Sequence, residues 1–434
     1  MRISHQTSTN AFFHSFAGLQ WLSFMFANTV VIPLSVGAVL HLSPEVIAGM
    51  MSRSFMLTGL ACLIQVLLGH RLPLMEGQSG IWWGSILSLV TVFTSSGLSL
   101  GAIGGGMELA VLVTGVFVVL FGVLGLDRIL TRIFNSMVMT VLLFLLSAQL
   151  IHIFFLGMMG IGGTHTQIQP GTAAVSIGIV VIVMLITIFG RGVLGNFSIL
   201  IGMIVGWIAF ALLFGGQPAD APSLASMIQT FSWGTPRYST GILVSMVVIG
   251  IINSTNTIAT LRAAEPVFDE EIGSPSYRRS FMVTGIFTIL SGLFSVVPYA
   301  PYTSSIGFLR TTRIIQRLPF IIGALMFILL GAIPQLVGFF STMPISVGDA
   351  VLFVAYLQLF GSALHNIEGV QFNFRTIFRV ALPTLAGLAV LSTPSQAFTT
   401  LPGIMQPICS NGMLVGIMLS VILEFAIKWR GLDG

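Results

Sequence analysis

Apolar runs, each close to the length a helix needs to cross a bilayer, succeed one another from residue 13 to residue 428. A helix spans the hydrocarbon core with about 20 apolar residues, within a range of roughly 17–25. On that measure the sequence predicts spans near 13–33, 46–68, 75–93, 106–125, 134–155, 172–189 and 194–214. Seven more follow near 238–260, 278–297, 302–313, 318–341, 346–364, 377–393 and 410–428. The expected fold is an all-α polytopic membrane protein of 14 transmembrane segments. The tenth is too short to cross as a plain helix, and the third opens on the polar, glycine-containing stretch EGQSG. Both are expected to be interrupted.

Only 7% of the 434 residues are charged, against roughly a quarter in soluble domains, so a soluble enzyme or binding module is excluded. The basic residues are scattered singly, which makes them topology signals and not a nucleic-acid patch. With a cytoplasmic N-terminus, Arg2, Arg71, Arg128, Arg132, Arg191, Arg262, Arg278, Arg279, Arg310, Arg313, Arg317, Arg375, Arg379, Lys428 and Arg430 all fall inside. Arg237 is outside and Arg53 lies within the second span, so 15 of 17 basic residues share one side. That asymmetry supports an even span count with both termini cytoplasmic.

No GxxxxGK[ST] motif occurs, so ATP-driven transport by this chain is not expected. No Cys/His metal spacing and no His/Glu cluster suited to intramembrane hydrolysis occurs either, so neither a cofactor nor an enzyme is expected. Cys62 and Cys409 lie at apolar segments and make no disulfide framework. The opening MRISHQTSTNAFF lacks a short apolar region with a small-residue cleavage site, so no cleaved signal peptide is expected. The largest hydrophilic loop, LRAAEPVFDEEIGSPSYRRS at 261–280, is of mixed charge and reads as a solvated connector.

Fourteen spans divide as seven plus seven, and an odd-numbered unit repeated in tandem must insert with opposite orientations. The predicted repeats are 1–217 and 218–434, with the interrupted third and tenth spans in corresponding positions. A short echo agrees: Asn28-Thr29-Val30 and Asn256-Thr257-Ile258 lie 228 residues apart, as do Glu76 and Ser304. Irregular backbone at membrane depth is tolerated only where it is buried in protein or lines a wet cavity. Two broken spans that cross aim two half-helix N-termini at one spot, which suits a small polar, planar or anionic solute. Gly77, Gly80 and Gly307 permit close backbone approach.

Polar residues within spans sharpen the picture. Asn253, Asn256, Thr257 and Thr260 fall at i, i+3, i+4 and i+7, one helix face that must point to the bundle interior or a cavity. Gln20, Ser23 and Asn28 form a weaker polar face on the first span. Glu76 opens the broken third span, so its carboxylate is the leading candidate to carry a proton; the alternative is a static ion pair, for instance with Arg53. Glu108 and Asp349 each read as beginning a span, a structural helix-N-terminal position, and Glu424 as interfacial. His152 reads as a packing residue.

These features resemble the nucleobase–ascorbate transporters, which include bacterial uracil and xanthine permeases, along nearly the whole chain to the terminal SNGMLVGIMLSVILE. The family signature on the tenth span is Gln, Glu or Pro, then Asn, any residue, Gly, four residues, Thr, and a basic residue or Gly. Here SSIGFLRTTR supplies Ser304, Ser305, Gly307, Thr312 and Arg313: the Gly/Thr/Arg frame is kept and two serines lead it. The first-span Gln-His pair appears as Gln20-Trp21, the third-span strand corresponds to Gly77–Trp82, and the family tyrosines correspond to Tyr302 and Tyr356. On the eighth span IINSTNTIAT puts Ile252 or Asn253 where the family has a Glu used for binding and proton coupling, with Asn256 at the later polar position. MEGQSGIWWG and the NST-NT run look most like a divergent purine or uracil/xanthine permease branch.

The resemblance implies a core domain (about 11–125 plus 238–341) and a gate domain (about 134–214 plus 345–428) that move against each other in a bacterial inner membrane, with homodimers common. The implied function is proton-coupled uptake of a nucleobase such as xanthine or uracil. The expected substrate-binding set is Gln20, Glu76, Gly77, Gln78, Ser79, Gly80, Trp82, Asn253, Asn256, Tyr302, Thr303, Ser304, Ser305 and Tyr356. Asn and Ser side chains match the alternating N–H and C=O edge of a base, Tyr302, Trp82 and Tyr356 can stack on its face, and Glu76 stands in for the missing carboxylates. A transporter of a small organic or inorganic anion is the alternative within transport. A channel or non-transporting receptor is the alternative outside it.

Overall fold

A computed structural model describes residues 11–161, 166–190, 195, 197–216, 221–402, 405–427 and 429. Arg2, Arg191, Lys428, Arg430 and both termini, which entered the topology argument, lie outside the described residues. The first half contains α1 (Ala11–Thr29), α2 (Val31–Val39), α3 (Pro44–Leu67), strand β1 (Glu76–Gln78), α4 (Gly80–Ser95), α5 (Leu100–Leu124) and the short α6 (Asp127–Ile133). It continues with α7 (Ser136–Met158), α8 (Pro170–Phe189), α9 (Ser198–Phe214) and the one-turn α10 (Leu224–Met227). The second half holds α11 (Thr240–Asn253), α12 (Thr255–Phe268), α13 (Ser274–Phe294), strand β2 (Tyr299–Pro301), α14 (Ser304–Thr312), α15 (Arg317–Ala332) and α16 (Pro334–Ser341). It closes with α17 (Ile345–His365), α18 (Phe374–Ser392) and α20 (Gly412–Ala426), preceded by the one-turn α19 (Gln406–Cys409).

The fold is mostly helical but not purely so: two three-residue strands pair where all-α was expected. Among the described residues, eight helices are long and apolar enough to cross a membrane, or nine if α15 and α16, bent by 85°, form one span. The expected count was higher because it included short pieces and α13, which is long enough at 21 residues but less apolar, carrying Arg278 and Arg279. α4 has 16 residues and α20 has 15, rises of about 24 and about 22 Å against a hydrocarbon core of about 30 Å.

Local chemistry explains the helix ends and breaks. Ser43, Ser99 and Asn135 cap α3, α5 and α7 with side-chain oxygens that accept from the first free N–H groups. The first span breaks at Val30 because Pro33 has no N–H to offer the carbonyl of Thr29. The eighth breaks at Ser254, where Ser254 Oγ donates to Gly250 O at 2.9 Å and Thr255 Oγ1 to Ile252 O at 2.7 Å, hydroxyl bonds that compete with the helix ladder.

The helices pack in two groups. One sets α13 along α5, α11 beside α5, and α3 and α1 against α15; the other sets α7 between α17, α18 and α20, with α8 and α9 against α17. The groups meet where α4 touches α7 and where α2 touches α17, Val31 there packing on Gly348. Within the first group, α5 and α13 approach so closely that a Cβ on Gly285 would lie 2.5 Å from the backbone nitrogen of Val119.

Three charges thought to sit at span ends or in ion pairs are placed differently. Glu108 is the ninth residue of α5, not its first, and its Oε1 accepts from Trp233 N at 2.9 Å and Ser295 Oγ at 2.6 Å. Arg53 donates to Phe294 O at 2.7 Å, to Ser232 Oγ at 3.0 Å and to Ser226 O, and forms no ion pair with Glu76. Asp349 is the fifth residue of α17, buried in the notch that Gly157 leaves. Glu424 forms a two-pronged ion pair with Arg379, both N–O distances 2.7 Å.

Gly285→Leu is expected to lower the thermal midpoint of the detergent-purified protein, since overpacking costs about 1–3 kcal/mol or more where backbone is the obstacle. Gly307→Ala, whose Cβ meets open space within helix α14, should keep or slightly raise the midpoint; fluorescence-detected melting of both checks this.

Candidate functional site

β1 and β2 lie antiparallel, with Glu76 opposite Pro301, Gly77 opposite Ala300 and Gln78 opposite Tyr299. The ribbon is extended at its ends by Ser79 N donating to Pro298 O and Tyr302 N donating to Met75 O, both at 2.8 Å. α4 follows β1 and α14 follows β2 at once, so the two half-helices start at one crossing. The strands begin at 76 and 299, 223 residues apart, so the 228-residue echo does not mark equivalent strand positions. β2 itself was not foreseen: Tyr299–Pro301 falls between the expected spans 278–297 and 302–313, although proline φ fits an extended edge.

A two-stranded ribbon has two open edges, and inside a membrane protein each outward backbone group needs a partner. Tyr299 O accepts from Asn253 Nδ2 at 3.0 Å and Pro301 O from Thr260 Oγ1 at 3.2 Å, so the predicted polar stripe of the eighth span completes β2. On β1, Glu76 N donates to Cys62 Sγ at 3.3 Å, Cys62 Sγ donates to Glu76 O at 3.4 Å, and Tyr302 OH donates to Gln78 O. Ser305 Oγ accepts from Met75 N at 3.0 Å.

The pleat then sorts the side chains. Glu76 and Gln78 point to the back, into the α3 and α13 interior. Glu76 is fully buried there, accepting from Gln65 Nε2 at 3.1 Å and Thr284 Oγ1 at 2.7 Å; Gln78 Nε2 donates to Ser54 Oγ at 3.0 Å. Gly77 faces the other way, and the Tyr302 ring lies over it, 2.8 Å from where a Cβ would stand. Gly80 likewise faces Leu150 and Tyr356. Ser79 caps α4, accepting from Ile81 N at 3.2 Å and from Asn256 Nδ2 at 3.4 Å. On α14, Thr303, Ser304, Gly307 and Arg310 form one exposed face, and Thr303 Oγ1 pairs with Thr260 Oγ1 at 2.8 Å.

A family model described as a permease family matches residues 13–396. The chain belongs to that permease family. "Putative purine permease YwdJ" of Bacillus subtilis (strain 168) is 27% identical over 425 residues, 95% of either chain. "Nucleobase transporter PlUacP" of Paenibacillus larvae subsp. larvae is 24% identical over 417 residues, 94% of this chain and 93% of that one. Among solved structures, the transmembrane domain of the cyanobacterial bicarbonate transporter BicA superposes with a TM-score of 0.65 at 14% identity, covering 92% of this chain and 96% of that one; this likeness concerns fold alone. The protein is a membrane permease and not an enzyme.

Of the residues singled out in the permease sequence, Gly77, Ser79, Gly80, Asn256, Tyr302, Thr303, Ser304 and Tyr356 gather on the front of the crossing. Glu76, Gln78, Asn253 and Ser305 are at the crossing but engaged behind or along the ribbon. Trp82 and Trp83 are both fully buried: the Trp82 ring lies 3.3 Å from where a Cβ of Gly250 would be, whereas Trp83 donates from Nε1 to Ser35 Oγ at 2.7 Å and its ring lies 5.2 Å from Phe154, which is 5.4 Å from Tyr356. Gln20 stands apart, lining a cavity of about 30 Å³ with Ser23, Asn28 and Phe308; Asn28 O accepts from Tyr302 OH at 3.5 Å, which links it to the front. Sequence reasoning passed over Gln149 of α7, although the rule that flagged Asn253, an amide inside an apolar span, applies to it equally.

The two signature serines therefore separate by role. Ser305→Ala strands the buried N–H of Met75 and should cost about 1–3 kcal/mol of stability, read as a lowered thermal midpoint. Ser304→Ala should melt like the parent protein.

Proposed function

We propose that this permease is a secondary active transporter that takes up a nucleobase, a purine such as xanthine or else uracil, coupled to protons across the bacterial inner membrane. The observation that carries the reading is the front of the crossing. Two half-helices begin there, with hydroxyls, an amide and two tyrosine rings around backbone that only glycine leaves approachable. Tyr302 and Tyr356 offer flat faces, and Asn256, Ser304 and the half-helix N–H groups offer donors and acceptors to a base edge. The names of the relatives, a purine permease and a nucleobase transporter, support the same solute class.

In this reading the chain makes fourteen passes in two inverted repeats, 1–217 and 218–434, with both termini cytoplasmic. The α1–α5 and α11–α16 group acts as core and the α7–α9 and α17–α20 group as gate, in a protein able to form homodimers. The exposed face of α14 continues to Arg310, which supports an open side of the crossing facing the arginine-rich surface that this reading assigns to the cytoplasm. Glu76 carries the coupling proton from behind the ribbon, where protonation alters its bonds to Gln65 and Thr284 and so the ribbon it belongs to. Arg310 and the two helix N-termini also favour a second reading, transport of a small anion.

Uptake of labelled xanthine, hypoxanthine, urate and uracil in a permease-deficient strain tests the proposal, with bicarbonate and sulfate as the anion arm. The expected result is saturable accumulation of one or more bases, abolished by a protonophore. Uptake of anions alone, or of nothing, overturns it. Glu76→Gln is expected to lose accumulation against a gradient while retaining base exchange; a variant with full proton-driven accumulation removes Glu76 from the mechanism.

A further inference from the structure

Gln149 occupies the seam between the two helix groups, on α7, and is 4% exposed. Its Nε2 donates to Gly84 O at 2.8 Å, crossing from one group to the other. Its Oε1 is buried and accepts nothing. A buried amide oxygen without a protein donor is costly unless another partner reaches it. Gly84 is one turn beyond Gly80 on α4, about 6 Å along the helix axis from the glycine that Tyr356 covers. The next residue of α7, Leu150, packs on both glycines, so apolar contact closes the seam beside this amide.

Asn256 presents a matching arrangement on the other side of α4. Its Nδ2 is spent on Ser79 Oγ and Asn253 Oδ1, while no hydrogen bond reaches its own Oδ1 among the described residues. Two amides thus grip the first turns of α4 through their NH₂ groups and each keeps a free oxygen. The ribbon and half-helix ends are rich in N–H donors, so acceptors are what a solute with its own N–H groups lacks there.

We propose that Gln149 is a specificity-determining residue contributed by the second helix group: its Oε1 accepts an N–H from a cyclic –NH–C(=O)– edge of the solute when the two groups close on it. This rests on the nucleobase reading above and adds to it a residue that selects among bases by their N–H positions. The alternative role for Gln149 is a latch that holds the groups together through Gly84 and never meets the solute.

Kinetics of labelled xanthine uptake, with 1-, 3-, 7- and 9-methylxanthine as competitors, separate the two. Each methyl group removes one N–H donor. In the parent protein at least one methylxanthine is expected to compete about tenfold more weakly than xanthine, the loss of one buried hydrogen bond. Gln149→Met keeps the length of the side chain and removes both amide functions. It is expected to raise the KM for xanthine by about tenfold and to erase the discrimination against that methylxanthine. If Gln149→Met does not accumulate in the membrane, Gln149→Asn shortens the reach by one methylene and should show the same loss of discrimination. Unchanged KM and unchanged methylxanthine ranking, with only the maximal rate altered, identify a latch and overturn this inference while leaving the nucleobase reading intact. A parent protein that takes up no base overturns both.

Discussion

Everything at the centre of this permease follows from the need to satisfy six residues of extended backbone inside a membrane protein. β1 and β2 satisfy each other along one edge apiece, and among the described residues no third strand covers the outer edges. The partners there are side chains from three directions: Cys62 from α3, Asn253 and Thr260 from the broken eighth span, and Tyr302 from the start of the tenth. Each replaces a hydrogen bond that water would make in a soluble protein, where an orphan would cost several kcal/mol in a hydrocarbon setting. Polar groups on the front of the crossing that these bonds leave uncommitted are the candidates for the proposed solute contacts.

That assignment changes how conspicuous residues are understood. Asn253 looks like a binding residue from its depth in an apolar span, yet its amide completes β2. Ser305 looks equivalent to Ser304, yet it serves Met75. Asn256, Ser304, Tyr302 and Tyr356 keep atoms or ring faces toward the front. Glu76 belongs to neither class: it is a carboxylate within the ribbon whose side chain reaches only Gln65 and Thr284 on the hidden side.

Much of this was legible in the chain because the bilayer imposes simple periods. Run length marked the long helices, and the polar run EGQSG together with the short 302–313 segment marked both breaks. The i, i+3, i+4, i+7 stripe on the eighth span correctly announced an inward face. What sequence could not supply was pairing. β2 hides in a proline-flanked tripeptide with no alternation to read, and its partner is more than 200 residues away. The direction of each strand side chain depends on register, since one residue of slip would bring Glu76 forward and turn Gly77 back. Which of Trp82 and Trp83 packs on Gly250 and which on Phe154 depends on the rotation of α4 about its axis, which two adjacent tryptophans do not reveal.

The central claim is that solute binds on the glycine-lined front of the ribbon crossing, beside the exposed start of α14. A single cysteine at Ser304 tests it directly, through its rate of alkylation by a membrane-permeant maleimide with and without saturating xanthine. The account predicts that xanthine slows alkylation of Ser304→Cys while leaving Thr311→Cys, further along the same helix, at its original rate. Equal protection at both positions, or none at Ser304→Cys in protein that transports xanthine, would contradict it.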